Sequence, residues 1–82
     1  MKFKNQAVVL KIIRTNREMT QKQMAKSMGF NVAQIVSNAE RAICQIPLNR
    51  LRKMDLSKSE KSMLVSARVK DVIEEFGRVV GL

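Results

Sequence analysis

The sequence predicts an all-α domain of five helices, the last of which is long. Apolar residues recur at the three- and four-residue spacing of a helix face, and no stretch makes a convincing strand. Capping residues, a glycine and a proline divide the chain at intervals that suit short helices. A chain of 82 residues has room for one modest core, built from aliphatic residues and six Met because its three aromatic residues are all Phe.

The first two helices are predicted at residues 5–17 and 20–29. Helix 2 opens at Thr20, a favoured N-cap residue, and ends at Gly29, which adopts a left-handed backbone at little cost. Four β-branched residues at helical spacing form the expected core face of helix 1: Val8, Val9, Ile12 and Ile13.

Helices 3 and 4 are shorter. Helix 3 is predicted from a cap at Asn31 to about residue 42, and Pro47 suits the first turn of helix 4. The residues expected to face inward are Ile35, Val36 and Ala39 in helix 3, and Leu48, Leu51 and Met54 in helix 4.

Helix 5 carries a second apolar pattern. Ser57 and Glu60 form a capping box at its start, and the helix is predicted to reach residue 78 or 79. Five apolar residues along it, hereafter the seam, follow the 4, 3, 4, 3 spacing of a helix–helix contact: Val65, Val69, Val72, Phe76 and Val79. The neighbouring apolar residues Met63, Leu64, Ile73 and Val80 make the band wider than one core face needs. We therefore expect part of helix 5 to pack on the core and part to meet a second copy.

Positive charge is concentrated in the first two thirds of the chain. Residues 1–53 contain eleven Lys and Arg against two acidic residues, whereas residues 54–82 contain five of each. Solubility alone does not require this segregation. A polyanionic partner explains it directly, because each neutralised phosphate releases counterions and adds affinity.

Several function classes are disfavoured by composition. The chain has no His, so a zinc finger and the common general-base arrangements of enzymes are not expected, and no cofactor or metal is implied. A single Cys44 forms no internal disulfide and points to a reducing, cytoplasmic compartment, where it is expected to be a small buried apolar residue. Lys11 interrupts the N-terminal apolar run, which disfavours a signal peptide. No segment approaches the length of a membrane-spanning helix.

Residues 20–42 have the pattern of a helix-turn-helix. Two short helices are joined by a tight turn containing Gly29, and Ala25 is small enough to let them cross closely. At residues 20–47 the chain resembles the Xre/Cro family of bacterial and phage helix-turn-helix regulators. The resemblance is carried by Thr20-Gln21, Ala25, Gly29, Val36-Ser37-Asn38-Ala39-Glu40-Arg41 and Pro47. It implies a lambda-repressor-like fold, with a helix-turn-helix core over residues 1–56. The resemblance does not extend to helix 5, and the apolar band of that helix predicts core closure with dimerisation over residues 57–82.

The chain departs from the family pattern at two places. Ala42 stands where the family usually has Gly, so helix 3 is expected to continue further. The interval from Gly29 to Val36 is one residue longer than the common pattern. A register with Ile35 in place of Val36 would put Asn38 in the core; we prefer the longer turn, which keeps Val36 and Ala39 inward.

The resemblance also implies roles for single residues. The face of helix 3 expected to contact base edges consists of Ala33, Gln34, Ser37 and Asn38, of which the two amides suit adenine. The residues expected to contact phosphate are Gln21, Lys22, Lys26, Arg41 and Arg50. Solvated surface side chains are the alternative interpretation of each position, and Gln21 could instead cap its own helix. Glu40 would repel phosphate, so we expect it to pair near Arg41 or at a helix end.

These observations predict a sequence-specific regulator that binds double-stranded DNA at a palindromic site, as a homodimeric repressor that occludes a promoter. An antitoxin whose last helix binds a partner protein is the alternative. A basic protein that binds RNA or coats the nucleoid is a third hypothesis, and the scarcity of aromatic residues disfavours recognition of single strands. Neither a small-molecule ligand nor a membrane is expected as a partner.

Overall fold

The computed structural model describes residues 2–81, and within them the domain is entirely helical. This confirms the predicted fold class. The helices are α1 (Lys4–Asn16), α2 (Gln21–Ser27), α3 (Gln34–Glu40), α4 (Leu48–Leu51) and α5 (Lys58–Val79). A single 3₁₀ turn, Arg52–Met54, continues α4. The long α5 packs mainly on α1, which also contacts α3, and α2 packs on α3.

The start and end of α2 agree with the sequence prediction. Thr20 Oγ1 accepts a hydrogen bond from the backbone N–H of Gln23, and the Gln23 side chain accepts one from the Thr20 N–H. This reciprocal capping box satisfies two donors that a helix start would otherwise leave open. Gly29 follows the last turn with φ +83°, the left-handed conformation expected at a helix C-terminus.

The bounds of α3 correct two predictions. Asn31 is not its cap, because the helix begins at Gln34, with Ala33 in the N-cap position and no side-chain cap. Nor does the helix continue past Ala42, since α3 ends at Glu40 and Ala42 itself has φ +62°. The backbone therefore takes the left-handed turn that Gly favours even though an alanine occupies the position. Val36 and Ala39 are both buried, which confirms the longer of the two registers considered.

The core face of α1 differs from the prediction. Ile13 is buried and Val9 packs against the core, but Val8 and Ile12 face solvent. The buried side instead follows Ala7, Leu10 and Ile13, one turn apart each time. Because β-branched residues occur on both sides of this helix, their spacing alone did not show which side is covered.

Around α4 the prediction is partly right. Leu51 and Met54 are buried, whereas Leu48 is exposed. Pro47 lies immediately before the helix, in the N-cap position, rather than inside its first turn. Asp55 adopts φ +52° and ends the 3₁₀ turn, which directs the chain into α5.

One core joins α5 to the rest of the molecule. The Ser57–Glu60 capping box forms as predicted, and Leu64 belongs to the same buried cluster as Ile13, Met24, Val36 and Ile46. The covered side of α5 consists of Leu64, Ala67 and Asp71, with Met63 partly buried beside them. Ile73 and Val80, which the sequence placed beside the seam, are exposed.

Polar contacts hold the two ends of α1 on α5. The buried carboxylate of Asp71 accepts hydrogen bonds from the backbone N–H groups of Asn5 and Gln6, at 2.9 and 3.0 Å, and so caps α1 from another helix. Burial by itself would raise the pKa of Asp71, but these hydrogen bonds outweigh it and the pKa is lowered. At the other end, Arg17 Nη2 lies 2.6 Å from Glu60 Oε1.

Candidate nucleic-acid interface

The helices α2 and α3 form a compact pair joined by residues 28–33. Ala25 on α2 and Ala39 on α3 are both buried. Small residues at these points permit close contact between the two helices. Met24, Met28 and Val36 complete the shared core. The arrangement has the element order of a helix-turn-helix. Its second helix, α3, is short and turns the side opposite its buried residues toward solvent.

Two amides on α3 form a hydrogen-bonded pair, hereafter the amide pair. Gln34 Nε2 donates to Asn38 Oδ1 over 2.9 Å, as the four-residue spacing on one helix face allows. Gln34 is exposed and Asn38 is half-buried. The Gln34 carbonyl oxygen and the Asn38 amide nitrogen remain to accept and donate, the combination that matches the major-groove edge of adenine.

The other two predicted base-contacting residues have the same intermediate burial as Asn38. Ala33 and Ser37 are both half-buried rather than fully on the outward face. Ala33 occupies the position just before α3, and Ser37 lies one turn further along the helix. Gln34 is therefore the only one of the four predicted base-contacting residues that is exposed.

Glu40, at the end of α3, turns toward α1. Its carboxylate accepts from Arg14 Nε at 2.6 Å, and the side chain is only 5% exposed. Arg14 Nη1 also donates to the Met19 carbonyl oxygen over 3.0 Å. The hydrogen bond to Glu40 raises the pKa of Arg14 further. Glu40 is thus structural, as expected, and of the two partners considered it takes the helix end, because Arg14 lies in the last turn of α1 rather than near Arg41.

Gln21 also contacts Glu40. Its Nε2 donates to Glu40 Oε1 over 3.1 Å, so the side-chain nitrogen predicted to touch phosphate is engaged within the protein. It does not cap its own helix; Thr20 does. The contact joins the first residue of α2 to the last residue of α3.

Exposed cations precede and follow the amide pair along the chain. Lys22 and Lys26 lie four residues apart on α2 and both are exposed, as is Arg41 directly after α3. Within residues 2–81 there are three ion pairs, Arg14–Glu40, Arg17–Glu60 and Arg78–Glu75, and none involves these cations. Their charge is available to an external partner.

Arg50 lies at the turn between α2 and α3. Its Nη1 donates to the Gly29 carbonyl oxygen over 3.1 Å, and its guanidinium carbon lies 4.8 Å from the centre of the Phe30 ring. Such stacking contributes about 0.5–1 kcal/mol at exposed sites. Arg50 therefore fixes α4 against the turn, and its predicted phosphate contact would have to come from the rest of the guanidinium.

Lys53 is a candidate that the sequence analysis missed. A Cβ atom at Gly29 would lie 3.2 Å from Lys53 Nζ and 2.9 Å from Arg50 Nη1, so both cations approach the same turn. The three-residue spacing of Arg50 and Lys53 was the available signal, since it places both on one side of a helix. We call Lys22, Lys26, Arg41, Arg50 and Lys53 the basic face.

The seam on α5 is uncovered. All five of its residues are exposed, with relative exposures from 52% for Val69 to 74% for Val79. None of them belongs to the core of this chain. A contiguous apolar surface of this kind is typical of protein contact sites.

Within the described residues, no helix has the length and apolar character needed to cross a membrane, and no three potential metal-ligating side chains gather at one point. No protein-family model matches the chain, and neither a curated protein nor a solved structure matches it.

Proposed function

We propose that this protein is a sequence-specific, double-stranded DNA-binding regulator that reads the major groove with α3. One observation carries the proposal. The helix-turn-helix carries the amide pair, with Gln34 exposed and Asn38 half-buried, together with the exposed cations Lys22, Lys26 and Arg41, while Glu40, the only acidic residue of α3, is held inward by Arg14. Amides can read base edges and free cations can hold phosphates, so the two kinds of contact occur together.

The charge distribution supports a duplex rather than a protein partner for this surface. The segment to Lys53 carries all of the chain's net charge of +9. Of its two acidic residues, Glu40 is neutralised inside the molecule, and only Glu18 remains exposed. A surface of this kind attracts a polyanion and orients it before any base is read.

We further propose that the protein acts as a homodimer joined through the seam, which would let two copies of α3 read the halves of a palindrome. We propose repression by promoter occlusion as the mechanism. The exposed seam also fits the second candidate, an antitoxin-type protein, because an apolar helix face serves a foreign protein as well as a second copy.

Selection of bound sites from random duplex DNA tests the proposal. We expect enrichment of a two-fold symmetric sequence, with affinity that falls with salt at about 0.9 log units per phosphate contacted. Replacing Lys22 or Lys26 with Ala should flatten that slope and weaken binding to all duplexes alike. Exposed Lys70 on α5 provides the matched control, Lys70→Ala, which should leave the slope unchanged. No enrichment of any duplex, or an affinity independent of salt, would contradict the proposal.

A further inference from the structure

Three shallow depressions form one tract along the exposed side of α5. The first, of about 270 Å³, lies between α4 and α5 and includes Leu48, Val65 and Arg68. Arg68 is shared with the second depression, which contains Val69, Val72 and Ile73. Val72 is shared in turn with the third, which contains Phe76 and Val79. The seam therefore lies in a continuous apolar surface that extends from α4 to the C-terminal end of α5.

The charges beside this tract differ at its two ends. The end near α4 is bordered by three cations, Arg52, Lys61 and Arg68, against one anion, Asp55. The half of α5 beyond Val72 carries Glu74 and Glu75 against Arg78, which pairs with Glu75 at the surface, and Lys2 also lines the third depression. The carboxylate of Glu75 is therefore the acidic group that the apolar half of α5 offers to the basic and apolar groove, in exchange for its exposed pair with Arg78.

Arg68 and Glu75 are seven residues apart, and each directly precedes a seam residue, so they lie on the same flank of the seam. When two helices pair antiparallel, the same flanks of both face each other; when they pair parallel, opposite flanks do. The opposite flank consists of Ser66, Ile73 and Val80, which carry no charge. Only the antiparallel arrangement brings Arg68 of one copy beside Glu75 of the other.

We infer that two copies of this chain dock antiparallel along α5, with Phe76 of each copy seated in the groove between α4 and α5 of the other. The inference rests on the proposed homodimer and specifies its arrangement. In this register Val65 faces Phe76 of the second copy and Val69 faces Val72, so one symmetric contact covers the tract on both chains. The exposed ring of Phe76 is the largest apolar side chain of the seam, the kind of residue that anchors an interface.

Disulfide crosslinking distinguishes this arrangement from a parallel one. The experiment uses Cys44→Ala as background, with Val65→Cys in one sample and Phe76→Cys in a second. Under mild oxidation we expect little disulfide-linked dimer in either sample alone. The two introduced cysteines of such a dimer are eleven positions out of register, or about 16 Å apart along the helix axis. The mixture should form a disulfide-linked dimer, and its other end keeps one intact contact between Val65 and Phe76.

Each other outcome overturns the inference. Efficient crosslinking of each sample alone would show parallel helices. No crosslinking in any sample, with a monomer by light scattering at high concentration, would show that a second copy does not cover the tract. The same background chain is assayed for duplex enrichment. Enrichment without the expected crosslink defeats the arrangement alone, whereas the expected crosslink without enrichment defeats the DNA-binding proposal alone.

Charge exchange gives a second test that leaves the apolar contacts in place. Arg68→Glu should raise the dimer dissociation constant by about three- to tenfold, because it sets two acidic residues against each other at both ends of the interface. Glu75→Arg in the same chain should restore most of the affinity. Arg68 Nη1 also donates to the Ile46 carbonyl oxygen, at 3.2 Å. A purely internal role of Arg68 predicts no rescue by the second change.

Discussion

Two regions of this molecule face solvent with different chemistry. Around α2, α3 and α4 most apolar side chains are buried, with Val32, Ile43 and Leu48 as the exposed exceptions, the acidic Glu40 is paired internally, and cations and amides face solvent. Over residues 54–82 the charges balance, yet most of the large apolar side chains of α5 remain uncovered. The first surface is suited to a charged, hydrated polymer and the second to another apolar surface. The two binding roles that we propose would therefore lie on different helices.

The two regions also differ in how they are held together. The pair Arg14–Glu40 joins α1 to α3 and is largely buried, whereas Arg17–Glu60 joins α1 to the start of α5 and is more open, with Arg17 31% exposed. Buried ion pairs are costly to break on one side because a charge is left without a partner. The position of α3 therefore depends on its polar contact more strongly than the position of α5 does.

The largest expected effect is the loss of stability when the Arg14–Glu40 ion pair is broken. Arg14→Met should lower the free energy of unfolding by about 3 kcal/mol, because the Glu40 carboxylate stays buried without its cation. Urea unfolding followed by circular dichroism measures the change. Arg17→Met is the matched control and should cost about 1 kcal/mol, as for an exposed pair. Adding Glu40→Gln to Arg14→Met should recover much of the lost stability, because the buried side chain is then uncharged. Equal effects of Arg14→Met and Arg17→Met would contradict the difference between the two regions.

The next prediction concerns the seam. Val72→Glu should give a folded monomer with weaker binding to its selected DNA site, because a carboxylate that is tolerated in the monomer would be buried without a partner in a dimer. The expected rise in the dimer dissociation constant is about 100-fold, or about 2.7 kcal/mol. Light scattering and circular dichroism measure assembly and folding separately.

Val8→Glu is the control for this change, since Val8 is an exposed helix valine of similar accessibility, 56% against 67% for Val72. It should leave self-association unaltered. A stable dimer of Val72→Glu would place the interface elsewhere. Loss of helical structure would mean that α5 depends on Val72 for folding.

Specificity is expected to depend on the amide pair. Gln34→Ala or Asn38→Ala should cost about 1–3 kcal/mol on the selected site and little on random duplex, because uncharged amides contribute to base reading. The two losses should be less than additive, since each amide positions the other. Titration of both duplexes by fluorescence anisotropy measures this, with Asn16→Ala as a control at an exposed amide of α1. Equal losses on both duplexes would contradict a base-reading role.

The smallest predicted effect is a pH dependence at the start of α5. The hydrogen bond from Arg17 is the main cause that lowers the pKa of Glu60 from 4.5 to about 2. A carboxyl group whose pKa is lowered in the folded state stabilises it above the unfolded value, and this contribution is lost as pH falls through the folded value. Glu60→Gln keeps the capping geometry but loses the ion pair, so it should cost about 1 kcal/mol at pH 7.

That difference should shrink between about pH 4.5 and 2, where the wild-type carboxylate also becomes protonated. Thermal unfolding of both proteins across this range is the measurement. A difference that stays constant with pH would show that the charge of Glu60 does not contribute.

Local signals in the sequence determined most of the helix bounds. Thr20 and Ser57 each began a helix with a capping box, and Gly29 ended one, because these contacts involve residues only three or four apart. The fold class and the buried face of α3 followed from spacing for the same reason. The charge segregation, the seam and the candidate residues of α3 were also visible without a structure.

Tertiary structure decided which apolar face of α1 is covered and where the polar side chains point. Val8 and Ile13 are both β-branched residues of α1, but only Ile13 is buried in the core. Glu40 pairs with Arg14, 26 positions away, and Asp71 caps α1 from more than sixty positions away. No local sequence pattern encodes such pairings between distant residues. Ala42 took a left-handed conformation that its own side chain disfavours by about 1 kcal/mol, at the point where the Ile43 N–H donates to the Asn38 carbonyl oxygen and the chain leaves α3.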